Sequence, residues 1–196
     1  MTAAGTTGFA LRVPESWFEF DIWRATRTGD LARMLDARIA QAPELAQHRK
    51  PLLRLMREAA EEAERRGARY CAVSGDLTDD GDQLAAALVV LQTDGTGDPD
   101  LDRPEAIAAQ ITATAPSAGS PLWRQVEVVE IPAGTAVRTY GVDSAGERSQ
   151  AVVMQTLIPV PGRPVILNVV LTSPQTVLAE PLLDLFDAIS GTLTWA

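Results

Sequence analysis

Hydrophobic residues recur at helical spacing in the first third of the chain. A helix is predicted from Thr28, whose hydroxyl can cap it, to a point before Pro43. A second helix is predicted over about residues 47–66, because its apolar side chains share one face and Gly67 follows at its C-terminal end. The apolar stripes are Leu31, Met34, Leu35 and Ile39 in the first helix and Leu52, Leu55, Met56, Ala59, Ala60 and Ala63 in the second. Because only a short connection joins these two helices, they are predicted to pack against each other as a helical pair.

Most of the remaining apolar runs are typical of strands. A first short strand is predicted over residues 9–13, where Pro14 stops it, and three hairpins follow because each has two apolar runs around a turn rich in Gly, Pro or Asp. The hairpin strands are 69–74 with 84–92, 125–131 with 135–142, and 149–160 with 165–172. Two more helices are predicted, over 104–114 and 177–190.

These elements predict an α+β fold in one domain over residues 1–196. An antiparallel sheet of about six or seven strands is sandwiched between helices, with the helical pair at the N-terminal side. The run 165–171 is apolar on both alternating faces except for Asn168, which is typical of a central strand covered on both sides. In the last helix Leu182, Leu185, Phe186 and Ile189 form the face expected against the sheet.

Composition excludes several partners. The chain has 196 residues, 46% of them hydrophobic, and a formal net charge of −9. These values are ordinary for a globular protein, and the negative charge disfavours binding to nucleic acid or to anionic lipid. We therefore expect neither a nucleic-acid nor a membrane partner. The first ten residues have no basic or apolar leader pattern and no run is long enough to span a bilayer, so we expect a cytoplasmic protein.

The residues that most often carry catalysis are scarce. The single cysteine, Cys71, excludes an internal disulfide and is expected to be a small buried hydrophobe in a strand. The single histidine, His48, excludes a zinc site with several histidines, and no serine or carboxylate motif accompanies it, so we expect a surface residue. No phosphate-binding loop is present. No catalytic or cofactor-binding residue is predicted.

One acidic loop resembles part of a metal site. Asp98, Asp100 and Asp102 occupy the first three ligand positions of a calcium loop. The sixth position is Arg103 instead of glycine, and the twelfth is Ala109 instead of a bidentate glutamate. The second acidic turn, at residues 75–82, has no other ligand type at a suitable spacing. Solvated loops are therefore expected, with no metal.

Aromatic residues crowd together once, at Trp17, Phe18, Phe20 and Trp23. One interpretation is that this segment plugs an edge of the sandwich with alternate side chains inward, which is favoured because large exposed apolar patches are rare. The other is an exposed patch that binds a protein partner, since tryptophan often anchors interfaces. These four residues are the candidate protein-binding residues.

The end of the chain resembles a known superfamily. The strand 149–160, the turn PVPGRP, the strand VILNVVLTSP and the helix PLLDLFDAISGTLTW are similar to the end of PsbP-like domains, which include the photosystem II extrinsic protein and a Ran-binding import factor. VPESWFEFDI and GARYCAV also look like an uncharacterised actinobacterial group. The resemblance implies an antiparallel sheet between helices, and no functional residue is carried over because a shared fold does not specify an active site.

The function expected from the sequence is that of a cytoplasmic, non-catalytic binding or adaptor protein with a protein partner. Two alternatives stay open. The chain is a small-molecule binder, or an enzyme that uses carboxylates, with a cleft beside the sheet. In the second alternative, the chain is an accessory or immunity-type protein of a secretion or toxin system. Two carboxylates facing each other in a pocket would favour the enzyme.

Overall fold

The structure, a computed structural model, describes residues 8–19, 27–78, 81, 84–113, 123–144 and 150–196. The helices are α1 (Arg27–Gln41), α2 (Arg49–Arg65), α3 (Pro104–Ala113) and α4 (Ala179–Ser190). The strands are β1 (Phe9–Ala10), β2 (Phe18–Glu19), β3 (Tyr70–Val73), β4 (Ala87–Asp94), β5 (Trp123–Ile131), β6 (Gly134–Ser144), β7 (Gln150–Pro159), β8 (Val165–Ser173) and β9 (Thr194–Trp195). Short 3₁₀ helices, Pro43–His48 and Thr176–Leu178, precede α2 and α4.

Seven strands form one antiparallel sheet in the order β2-β3-β4-β8-β7-β6-β5. The predicted α+β class, the strand number and the three hairpin pairings are confirmed. The prediction of a first strand over 9–13 was wrong in length and place, because β1 covers only Phe9–Ala10 and lies outside this sheet, one of whose edge strands is β2 instead. β8 lies in the middle of the sheet, as its apolar sequence indicates. The pairing of β4 with β8 joins the N-terminal hairpin to the two C-terminal ones, and it extends over the whole of β4, from Ala87 opposite Thr172 to Asp94 opposite Val165.

One face of the sheet, called here the α4 face, packs against α4. Alternate residues of the central strands point to this side because successive side chains of a strand alternate between faces. Phe186 of α4 is fully buried among them. The strand side chains in this core layer include Leu88, Val90, Val152, Met154, Ile158, Val169 and Leu171. The sequence expectation that Leu182, Phe186 and Ile189 lie in the core is confirmed, while Leu185 is only partly buried.

The opposite face, called here the α2 face, is covered by the helical pair. Leu52, Met56 and Ala60 of α2 pack with Leu35 of α1 in a second core layer. On the sheet this layer contains Cys71, Val73, Val89, Leu91 and Val170, which lie on β3, β4 and β8. Within the described residues α2 contacts β3 most extensively among the strands. The helical pair therefore covers only the first part of this face.

The two ends of the described chain meet in a small separate ribbon. Phe9 pairs with Trp195 and Ala10 pairs with Thr194, in an antiparallel arrangement. The amide of Ala196 also donates to the carbonyl oxygen of Gly8 at 3.0 Å. Trp195 then donates its indole N–H to the carbonyl oxygen of Ala133 at 2.7 Å, which connects the ribbon to the turn between β5 and β6.

Candidate functional site

A groove lies between α2 and the sheet where the helical pair stops covering the α2 face. Its volume is about 630 Å³. Part of one wall comes from Leu55, Ala59, Glu62 and Arg66 of the α2 segment. The remaining lining residues are Ala87, Val89, Asp143, Ser144, Ala151, Val153, Gln155, Val170, Thr172, Ser173 and Pro174. A groove of this volume falls in the range of small-molecule sites in proteins, which is about 300–1,000 Å³.

The periodicity of each element explains why these side chains share the groove. The α2 residues are spaced by three or four positions, so they lie along one stripe of the helix. The floor is a cross-strand row, because Val89 pairs with Val170 and Val170 pairs with Gln155. Thr172 and Val153 form the next row. Apolar groups therefore form most of the surface at which a ligand would sit.

Two polar side chains lie in this apolar floor. Gln155 and Thr172 point into the groove from β7 and β8. No hydrogen bond joins either side chain to another described residue. An amide and a hydroxyl can both donate and accept hydrogen bonds. The floor therefore offers both kinds of bond to a polar group of a ligand.

The charged residues of the groove already have partners. Glu62 forms ion pairs with Arg65 and Arg66, the second at 3.9 Å. Asp143 forms an ion pair with Arg124 of β5, on the neighbouring strand. Each carboxylate therefore has a nearby arginine as its partner. Acid–base catalysis by a carboxylate pair would need two carboxylates that face each other, and Glu62 and Asp143 each face an arginine instead.

The aromatic segment is divided by the structure. Trp17 and Phe18 are 6% and 5% exposed. Trp17 packs in the core of the α4 face, and Phe18, the first residue of β2, packs in that of the α2 face. The fit is close, since a Cβ on Gly75 would lie 2.7 Å from the Phe18 ring. Phe20 and Trp23 lie outside the described residues, so protein binding by this segment stays a prediction.

In the acidic loop, the carboxylate oxygens of Asp102 accept hydrogen bonds from the loop itself. Asp102 accepts hydrogen bonds from the Thr96 amide at 2.8 Å, from the Thr96 hydroxyl at 2.9 Å and from the Gly97 amide at 3.3 Å. These donors lower the pKa of Asp102, with the Thr96 amide contributing most. Arg103 lies 3.7 Å from Asp100. Across the described ranges, no three carboxylate, histidine or cysteine side chains gather as a metal site would need.

Cys71 and His48 lie in different surroundings. Cys71 is fully buried under α2, where its thiol contacts the carbonyl oxygen of Ala59 at 3.9 Å. Burial raises the pKa of this thiol to about 12, so it is not a nucleophile near neutral pH. His48 lies at the start of α2, and its Nε2 is 3.1 Å from the carbonyl oxygen of Gly81. The expectation of a buried, hydrophobic Cys71 is confirmed.

The groove residues carry no motif in the sequence. Val153, Gln155 and Thr172 are ordinary strand residues, and only their place in the assembled sheet brings them beside α2. Gln155 and Thr172 are polar residues in largely apolar strands, but β7 also contains Thr156 and β8 also contains Asn168, so polarity alone does not distinguish the groove residues. The alternation of faces would have placed them on the same side as Val153 and Val170 once the strand pairing was known.

Comparisons with known proteins identify the fold. No family model and no curated protein matches the chain. Among solved structures, the crystal structure of LpqN, described as involved in cell envelope biogenesis of Mycobacterium tuberculosis, is similar with a TM-score of 0.53 at 14% identity. The match covers 98% of this chain and 86% of that one. Within the described residues, no helix has both the length and the apolarity to cross a membrane.

Proposed function

We propose that this protein is a non-catalytic binding protein that holds a small uncharged molecule in the groove between α2 and the sheet. The observation that carries the proposal is the apolar volume of about 630 Å³ with Gln155 and Thr172 in its floor. The ligand class that fits is a molecule with an apolar body and one or two hydroxyl or carbonyl groups. Such sites usually combine an apolar lining with a few polar groups that orient the ligand.

The charges support an uncharged ligand. The groove lining contains Glu62, Arg66 and Asp143, and each of them is ion-paired within the protein. A charged ligand would have to compete with these partly exposed pairs, each of which contributes about 1 kcal/mol or less. A neutral ligand leaves the pairs in place.

A small ligand is favoured over the protein partner expected from the sequence. The described aromatic residues of the candidate protein-binding segment, Trp17 and Phe18, are buried in the core and have no free surface for a partner. The enzyme alternative gains no support, because Glu62 and Asp143 pair with arginines. The groove, in contrast, is open in the protein as it stands.

A fluorescence titration tests the proposal. N-phenylnaphthylamine, an uncharged dye that brightens in apolar surroundings, is expected to bind the wild-type protein at one site. Val153→Trp fills the floor of the groove and is expected to abolish this signal. Thr93→Trp, an exposed position on β4, is the matched control that keeps it. Equal binding by both variants, or no binding by the wild type, would show that the groove is not a ligand site.

Ancestry and location are separate parts of the proposal. The succession of β7, the turn at Pro161–Pro164, β8 and α4 supports a relation to PsbP-like domains. The sequence favours the cytoplasm, whereas the likeness to LpqN raises the cell envelope as the other location. Fractionation of the native host with an antibody against this chain distinguishes the two, since a signal in the envelope fraction contradicts the cytoplasmic expectation.

A further inference from the structure

Among the described residues, the outer edge strand of the sheet has a strand partner on one side only, and helix α3 also contacts this strand and its partner β6. β5 has nine residues, and within the described part of the chain it pairs only with β6. Val128, near its middle, is one of the exposed large hydrophobic residues. Edge strands of this length present unpaired N–H and C=O groups to any strand that can approach them.

The turn between β5 and β6 determines which residues face outward. Ile131 pairs with Gly134 across a two-residue turn, so these two exchange hydrogen bonds. Hydrogen-bonded and non-hydrogen-bonded pairs alternate along an antiparallel ladder. The odd-numbered residues of β5 therefore bond to β6, while the N–H and C=O groups of Arg124, Val126, Val128 and Glu130 point to the free edge.

The sequence of this edge is complementary to itself. In a two-fold antiparallel arrangement centred on Glu127, Arg124 lies opposite Glu130 of a second copy. Each also has a partner in its own chain, since Arg124 pairs with Asp143 and Glu130 accepts a hydrogen bond from the Thr135 hydroxyl. Val126 then lies opposite the second copy's Val128, and the two-fold axis repeats both pairs. Opposite charges and apolar side chains facing each other stabilise adjacent strands. This arrangement also uses all nine residues of β5 and matches its outward hydrogen-bonding groups.

The central position is the one unfavourable contact of this arrangement. Glu127 of one copy faces Glu127 of the other, and like charges opposite each other destabilise a pair of strands. Arg138 of β6, which pairs with Glu127 in register, brings its Nη1 to 4.0 Å from the Glu127 carboxylate. Each of the two carboxylates therefore has a guanidinium of its own chain nearby, although this guanidinium makes its closer ion pair with Asp187 of α4.

We propose that two copies of this chain pair through β5 in antiparallel register about Glu127, so that their sheets join into one. The occupant of the edge is a second copy because the order of Arg124, Val126, Val128 and Glu130 complements its own reverse. The proposal rests on the sheet edge and shares one residue with the surroundings of the groove, because Arg124 pairs with Asp143 of the groove lining.

Charge reversal with mixing tests the register. Arg124→Glu and Glu130→Arg each place like charges opposite each other twice, so each variant alone is expected to dimerise about tenfold more weakly than wild type. A mixture of the two variants restores both opposite-charge pairs and is expected to recover a dimer of wild-type affinity. Sedimentation velocity measures all three, with Glu180→Arg on α4 as the control that leaves the affinity unchanged.

Two further variants separate pairing from folding. Val128→Pro removes an outward N–H without touching the β5–β6 ladder, so the protein is expected to be monomeric with its circular dichroism unchanged. Glu127→Cys is expected to form a disulfide between copies on oxidation, because non-hydrogen-bonded partners have Cα atoms about 4.5 Å apart. A wild-type protein that is monomeric at its highest attainable concentration overturns the proposal. So does a dimer that survives Val128→Pro, or a mixture that fails to restore affinity.

Discussion

The two faces of the sheet differ in how completely helices cover them. On the α4 face, α4 lies over β6, β7 and β8. On the α2 face, the helical pair fills the space over β3 and β4 and leaves the groove over β7 and β8. Helix α3 contacts the outer strands β5 and β6 and, less extensively, β7. Strands β7 and β8 are therefore packed on one side and open on the other. Both faces contribute a core layer, and the open part of the α2 face is the groove in which we propose that a ligand binds.

The largest effect is expected on the α4 face. Phe186→Ala empties a site that is fully buried, so the free energy of unfolding is expected to fall by about 3–5 kcal/mol. Denaturant unfolding followed by circular dichroism measures the loss. A loss below about 1 kcal/mol would mean that α4 is not packed against the sheet as described.

Two neighbours on β7 compare the faces directly. Val152 is fully buried on the α4 face, while Val153 is half-buried in the groove. Val152→Ala is expected to cost about 2 kcal/mol in unfolding free energy, and Val153→Ala about 1 kcal/mol or less, because a cavity is penalised only where packing surrounds it. Both variants are measured by the same denaturant titration. Equal costs would show that the groove closes in solution.

The pH dependence of stability tests how dry the covered part of the α2 face is. Burial raises the pKa of Cys71 from 9.0 to about 12, so the folded state keeps its thiol proton where the unfolded state loses it. This contribution is complete below pH 9 and is lost as pH rises toward about 12. Between about pH 8 and pH 10, wild type is expected to lose about 1 kcal/mol more stability than Cys71→Ala. Parallel curves for the two proteins would mean that water reaches the thiol.

The smallest effect is expected at the acidic loop, which belongs to neither face. Asp102 already accepts three hydrogen bonds within the loop, and Arg103 lies beside Asp100. Calcium at millimolar concentration is therefore expected to leave the thermal midpoint unchanged, because only a ligand of the native state raises it. A rise of several degrees that Asp100→Ala abolishes would identify a calcium site.

Local patterns predicted the elements better than they predicted the site. The stripe of α2 and the alternation in β7 and β8 depend on neighbours a few residues away, so the helices and hairpins follow from the sequence. The pairing of Phe9 with Trp195 does not, because two-residue strands carry no periodicity and their contact spans nearly the whole chain. The expectation that β8 is covered on both sides was only partly correct, since Val170 and Thr172 line the groove.

The groove could not be predicted because it is a space between elements. Its existence depends on where α2 stops along the sheet, and that position is determined by packing between Leu52, Met56 and the side chains of β3 and β4. Gln155 has no neighbouring motif that would mark it as a ligand contact. The hydrogen-bonding direction along β5, in contrast, follows from one short turn once the pairing of Ile131 with Gly134 is known.

The ribbon of β1 and β9 has a mechanical consequence. Because the two strands are antiparallel, Gly8 and Ala196 lie at the same end of the ribbon. A pulling force applied between these two residues loads the few bonds of the ribbon one after another, as a zipper opens, and reaches the large sheet only afterwards. In an optical trap, a small extension at low force is expected to precede the rupture of the seven-stranded sheet.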